Sequence, residues 1–177
     1  MKLEFTPKLV DLANHEQKND WYLKINPVGK VPCLVIKEQT DSLTLIESRA
    51  IMKYLVNSFD IRKTWTPESI SEATTLNSFL FWDMSQFYRD SAYGICGPVI
   101  ESKTAPPQTS VQKFRETLKN LDRELAENGG FLCFSGRLSA ADISVAIGLD
   151  FAESVKNVVN LSEFNAVDKM RLKKLKC

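Results

Sequence analysis

The apolar pattern changes character once along this chain, and that change limits the fold more than any other feature. From Trp65 onward apolar residues recur at three- and four-residue steps, the period of a helix. Ile70, Ala73, Leu76, Leu80, Met84 and Phe87 make one stripe; Val111, Phe114, Leu118, Leu121 and Leu125 make a second. Pro67 suits the first turn of the first helix. Thr104-Ala105-Pro106-Pro107 reads as a loop, and Asn128-Gly129-Gly130 stops the second helix. Ala140 to Val155 is apolar on nearly every side, which predicts a buried central helix. A last helix, rich in Lys and Arg, is expected from Ser162.

Before Asn57 the pattern is mixed. Pro7–Leu12 is expected to be a short strand and Glu16–Lys24 a weak helix. Cys33-Leu34-Val35-Ile36 and Leu43-Thr44-Leu45-Ile46 are β-rich runs separated by the polar stretch Lys37–Ser42, so they predict an antiparallel hairpin. Ser48–Asn57 switches to helix, with Ile51, Tyr54 and Leu55 on one face. The class is therefore α+β, with a strand-and-helix domain over 1–57 and an all-helical domain over 66–177.

Charge and cysteine content narrow the function. Lys plus Arg number 23 and Asp plus Glu 22, a formal charge of +1. That balance gives no support for nucleic-acid binding, which shows as a basic excess on one face. No run of 18 apolar residues exists, so membrane insertion is not expected. The four cysteines are scattered and only one His is present, so no metal site is expected. Free thiols fit a reducing, intracellular and cytoplasmic setting, with an organelle assembly as the alternative.

Two motifs point to a ligand. Asn26-Pro27-Val28-Gly29-Lys30-Val31-Pro32 precedes the first hairpin strand, and Glu47-Ser48-Arg49-Ala50-Ile51 follows the second. This pair resembles the glutathione site of the glutathione transferase family, most like the theta class. Phe134-Ser135-Gly136-Arg137-Leu138-Ser139-Ala140-Ala141-Asp142-Ile143 resembles the same family's G-x-x-S-x-A-D segment. In that segment Ser139 and Asp142 have capping-box spacing, which implies a folding role.

The resemblance implies a thioredoxin-like N-terminal domain followed by an all-helical domain. It also implies a cis Val31–Pro32 bond. Val31 and Pro32 are expected to meet the cysteinyl part of glutathione, and Glu47 and Ser48 the γ-glutamyl end. Lys30 is a candidate for the glycyl carboxylate. A helix N-terminus presents unpaired N–H donors and partial positive charge, which suits a carboxylate. Gln17 stands where theta-like members carry a His, with His15 two residues earlier. The family's first strand and helix, with the residue that activates the glutathione sulfur, are expected before Met1, so no catalytic residue is assigned within the chain.

Three functions follow from the resemblance: a transferase joining glutathione to electrophiles, a non-catalytic docking or structural subunit, and a glutathione-binding module without catalysis. Partners expected with them are glutathione and a homodimer mate or other chain that completes the sheet. Cys33 reads as a small buried hydrophobe. The basic tail, Arg171, Lys173, Lys174 and Lys176, reads as a solvated helix end. Phe79, Phe81, Trp82, Phe87, Tyr88 and Tyr93 have helical spacing, which fits core or interface, with an electrophile pocket as the alternative.

Overall fold

The computed structural model describes residues 3–37, 41–60, 63–134, 136–155 and 157–174. The chain divides into two compact units, Met1–Arg62 and Lys63–Cys177.

In the first unit β1 (Cys33–Lys37) and β2 (Ser42–Ile46) form the hairpin, antiparallel from Cys33↔Ile46 to Lys37↔Ser42. The predicted connection between them lies largely outside the described residues. The strands are rich in β-branched and leucine side chains, which suit a pleated surface. Helix α2 (Ser48–Phe59) follows directly and buries Ile51 and Val56.

Pro7–Leu12 is not a strand. Phe5 is 77% and Leu9 89% exposed, and the sheet of the described residues has two strands only. A strand needs a neighbour to take its N–H and C=O groups, and no described strand runs beside this segment. Its end is fixed locally instead: the Asp11 N–H donates to the Glu16 carboxylate at 2.7 Å. The Glu16–Lys24 helix is also broken. It divides into a single 3₁₀ turn, Glu16–Lys18, and a short α1, Asp20–Leu23, at an extended Asn19. Asn hydrogen-bonds in non-helical conformations and so favours such breaks.

The second unit is helical. Helix α3 (Ile70–Trp82) starts on Ser69, whose Oγ accepts the Glu72 N–H at 3.1 Å, while the Glu72 carboxylate takes the Glu68 N–H at 2.7 Å. Pro67 therefore lies ahead of the helix and not in its first turn, because it lacks the side-chain acceptor that Ser69 supplies. At Asp83 the winding loosens into two π-helical segments, Asp83–Phe87 and Arg89–Cys96, before α4 (Gly97–Ile100). Such widening rotates later side chains relative to an α-helical projection. Leu76, Leu80 and Phe87 are buried, but Ile70 (88% exposed) and Met84 face outward, so the predicted stripe holds only in part.

Helix α5 (Gln108–Glu127) buries Phe114, Leu118, Leu121 and Leu125, as its spacing predicts. Its Asp122 caps α7 (Asn165–Lys174), accepting the N–H groups of Ala166 and Val167 at 2.7 and 3.0 Å. Helix α6 (Ala140–Glu153) is the central element, with Ala141, Val145 and Leu149 fully buried. It is not enclosed on every side: Ile147 and Phe151 are exposed. Where α6 meets the π-helical tract the packing is close. A Cβ on Gly148 would lie 2.6 Å from Phe87 Cε1, so only glycine lets the two elements approach this far.

Candidate functional site

The first ligand motif is held by a small polar knot. Asn26 is 1% exposed. Its Nδ2 donates to the Lys30 carbonyl at 2.7 Å, and its Oδ1 accepts the Val28 N–H at 3.1 Å. The Tyr22 hydroxyl donates to the same Lys30 carbonyl, also at 2.7 Å. Burial raises the Tyr22 hydroxyl above its ordinary pKa, so it stays a donor. Gly29 has φ +61°, and a Cβ there would approach Lys18 Nζ at 2.9 Å and the Gln17 carbonyl at 3.0 Å. Glycine is needed for both reasons. The loop then passes through Lys30 and a cis Val31–Pro32 bond into β1.

The second motif starts where β2 ends. Glu47 has φ 69° and ψ 113°, outside the helix it introduces. A non-glycine residue with positive φ is uncommon and costs on the order of 1–3 kcal/mol. Ser48 opens α2, and its Oγ accepts from Arg49 Nη1 at 2.9 Å. No side chain caps this helix start, and its first turn holds no acidic residue. The N–H groups and partial positive charge of a helix start favour an anion there.

Hairpin register brings the two motifs together. Because Cys33 pairs with Ile46, Val31–Pro32 and Glu47–Ser48 lie at the same end of the two-stranded ribbon. Lys30, Val31, Pro32 and Glu47 are exposed and Ser48 is half-buried. That end of the hairpin thus offers an open backbone edge, a helix N-terminus, one carboxylate and one ammonium within a single unit.

The flanking residues behave differently. Cys33 is half-buried, not buried, and burial raises its thiol pKa, which keeps it protonated and a poor nucleophile. His15 is exposed with φ 55°. Gln17 Oε1 is buried without a hydrogen-bond partner. Among the described residues no group of three or more His, Cys, Asp or Glu could hold a metal ion, and no helix is long and apolar enough to cross a membrane.

In the helical unit the aromatic set is dispersed. Phe87 is fully buried, while Phe81 and Tyr93 are 73% and 67% exposed. Phe79 and Trp82 line a cavity of about 270 Å³ between α3 and α5, with Ser78, Asn120, Leu121, Arg123 and Glu124. Sequence reading missed the α5 side of this cavity. The signal was present as polar residues flanking Leu121 on an otherwise ordinary amphipathic helix. Arg171 is paired with Asp168 at 2.9 Å, so it is not a freely solvated end of the basic tail.

Comparison with known proteins bears on the site. Residues 1–57 match the family model described as "Glutathione S-transferase, N-terminal domain". The chain is 30% identical over 155 residues to glutathione S-transferase T1 of Arabidopsis thaliana, covering 83% of this chain and 62% of that protein. It is 26% identical over 148 residues to human glutathione S-transferase theta-1, covering 80% and 60%. The chain thus spans about three fifths of the length of these relatives.

Solved structures agree in fold. The Phanerochaete chrysosporium glutathione transferase URE2P6, solved with oxidized glutathione, superposes with a TM-score of 0.84 at 24% identity, over 98% of this chain and 80% of that one. A glutathione transferase homolog from Lodderomyces elongisporus, solved with two GSH per subunit, gives 0.79 at 19% identity, over 94% and 80%. The fold is accordingly a thioredoxin-like N-terminal domain followed by an all-helical domain. On these matches residues 1–57 are a glutathione S-transferase N-terminal domain, and the chain as a whole is similar to theta-class members of that family.

Proposed function

We propose that this chain binds glutathione at the end of the hairpin formed by Val31–Pro32 and Glu47–Ser48. The observation that carries the reading is the Cys33↔Ile46 register, which sets both motifs side by side with Glu47 held at φ 69°. A backbone outlier retained at a motif is a reason to infer function there. The exposed edge before β1 suits a peptide lying alongside as an added strand, as β-augmentation does. In this reading Val31 and Pro32 meet the cysteinyl part. The Ser48 hydroxyl and the first-turn N–H groups of α2 hold the γ-glutamyl carboxylate, and Glu47 meets its ammonium. Lys30 meets the glycyl carboxylate. We take 1–57 and 66–177 as the corresponding folding domains.

The transfer itself forms a carbon–sulfur bond between the glutathione thiolate and an electrophilic carbon, whose leaving group departs with its electron pair. A free thiol has a pKa near 8.5, so a hydrogen-bond donor to the sulfur is needed for speed at neutral pH. No residue described at this site is assigned that role. Titration calorimetry with glutathione tests binding, and conjugation of 1-chloro-2,4-dinitrobenzene tests transfer. Heat of binding that is lost on adding S-hexylglutathione supports the reading. No heat and no thermal shift at millimolar glutathione overturns it.

A second reading is a non-catalytic docking subunit. It is favoured by the exposure of Phe5 and Leu9 in a unit whose described sheet has two strands. It expects the chain to melt cooperatively only with a partner chain. A cooperative melt of the monomer alone rejects it.

A further inference from the structure

Helix α5 stops at Asn128-Gly129, the one Asn-Gly step in the sequence. Asn128 closes the helix at φ −100° and ψ 22°, its N–H donating to the Glu124 carbonyl at 3.1 Å. Gly129 and Gly130 follow at φ 67° and 87°, a backbone that glycine adopts readily. The Gly130 N–H then reaches back to the Leu125 carbonyl at 2.6 Å and completes a glycine helix stop.

This step is open to chemistry. Asn128 and Gly129 are both exposed, so water reaches them. A Cβ on Gly129 would meet nothing within 4 Å, so the space beside its nitrogen is empty of other chain atoms. Among the described residues the Gly129 N–H has no hydrogen-bond partner, so that nitrogen is not tied to a carbonyl. Joining it to Asn128 Cγ closes a five-membered ring, and a residue without a Cβ hinders that closure least.

We propose that Asn128–Gly129 is a self-modifying site, at which the asparagine amide becomes a carboxylate with water as co-reactant. The Gly129 nitrogen, on losing its proton, attacks Asn128 Cγ. The N–Cγ bond forms, the Cγ–Nδ2 bond breaks, and Nδ2 departs as ammonia with the proton that Gly129 gave up. Water then opens the cyclic imide at either carbonyl, giving aspartate or isoaspartate at this position.

The product changes the helix end in two ways. In the unmodified chain Asn128 Nδ2 donates to Glu124 Oε1 at 2.8 Å. A carboxylate in its place meets Glu124 as a like charge at the i,i+4 spacing. Glu124 and Glu127 already lie in the last turn, which holds no basic residue, and a helix C-terminus disfavours further negative charge. Isoaspartate also inserts a methylene into the main chain between Leu125 and Gly130, the segment that the 2.6 Å bond closes. Both changes loosen the end of α5 and the loop that leads to Leu132.

The test ages the full chain at mildly alkaline pH and maps its peptides by mass spectrometry. Residue 128 is expected to convert to a mixture of isoaspartate and aspartate, faster as pH rises. Asn57 and Asn77, inside α2 and α3, are expected to keep their amides. Hydroxylamine added during ageing is expected to trap the imide at residue 128, and N128A to give no product. N128D reads the charge effect alone and is expected to melt about 2–4 °C below the native chain, with a smaller drop in an E124Q background.

Aspartate without isoaspartate means direct hydrolysis and overturns the proposal. So does an amide at residue 128 that lasts as long as those of Asn57 and Asn77. An N128D chain that melts with the native one overturns the loosening of α5.

Discussion

Ser139 and Asp142 exchange hydrogen bonds across the first turn of α6. The Asp142 carboxylate takes the Ser139 N–H at 2.8 Å, and the Asp142 N–H reaches Ser139 Oγ at 3.4 Å. The other oxygen of the same carboxylate takes the N–H of Leu132, also at 2.8 Å, so the cap ties the preceding loop to the helix.

Ser139→Ala removes one acceptor and is expected to cost about 1 kcal/mol of stability. Asp142→Ala leaves the buried Leu132 and Ser139 N–H groups without partners and is expected to cost more, about 2–4 kcal/mol. Urea unfolding of the two variants checks the order. The pH dependence carries a sign. Burial raises the Asp142 pKa above 3.8 despite its hydrogen bonds to Ser139 and Leu132. A group with a raised folded pKa contributes stability that is complete below its unfolded pKa and is lost as pH rises through the folded one. The stability advantage of the native chain over Asp142→Asn is therefore expected to shrink as pH climbs from about 4, whereas an advantage that grows with pH contradicts it.

Arg137 gathers the start of the helical unit. Its guanidinium pairs with Glu72 at 2.6 Å, donates to the carbonyls of Thr64 and Thr66 at 3.3 and 3.2 Å, and stacks 4.0 Å from the Phe134 ring centre. A lysine cannot reproduce that planar fork. Both Arg137→Ala and Arg137→Lys are expected to lose on the order of 1–3 kcal/mol. Protease cleavage near Thr64–Thr66 is expected to accelerate in both, and a lysine variant as resistant as the native chain refutes the multivalent role.

Gly148→Ala tests close packing against helix propensity. Alanine gains about 1 kcal/mol over glycine inside a helix. Here its methyl group would overlap the buried Phe87 ring, at 2.6 Å from Cε1. Overpacking costs about 1–3 kcal/mol, so a net loss is expected. Phe87→Leu in the Gly148→Ala background is expected to cost less than in the native one, a non-additivity that thermal melts of the four chains resolve.

At the hairpin site, backbone and ligand effects separate. Glu47→Gly relieves the positive φ and is expected to hold or raise the melting temperature. Ser48→Ala is expected to leave the melting temperature near native. Each is expected to weaken glutathione binding about tenfold or more, since each removes a hydrogen bond to a charged group. Calorimetry beside the melts distinguishes this from unfolding, and unchanged affinity in both variants removes these residues from the site.

What the sequence disclosed was what local pattern encodes. The β1–β2 hairpin and the α5 stripe follow from periodicity, and the Ser139 cap from its spacing to Asp142. The π-helical tract did not show, because inserted residues blur the very period used to find helices. Asp83 and Asp90 lie buried within that tract. Each has a partner distant in sequence: Ser144 donates to Asp83, and Thr117 donates to Asp90 at 3.1 Å. No local rule connects such pairs. Pro7–Leu12 reads as a strand by composition, yet strandness is a property of a pair, and a single segment carries only half of it. The positive φ of Glu47 was hidden for a related reason, since the residue type gives no hint of it.

The double anchoring of the Lys30 carbonyl, by Tyr22 and by Asn26, has an entropic corollary. With that oxygen doubly tethered, the approach to Val31 is already shaped before anything arrives. For a peptide bound there as proposed, little loop disorder is left to freeze, and cutting either tether is expected to weaken binding.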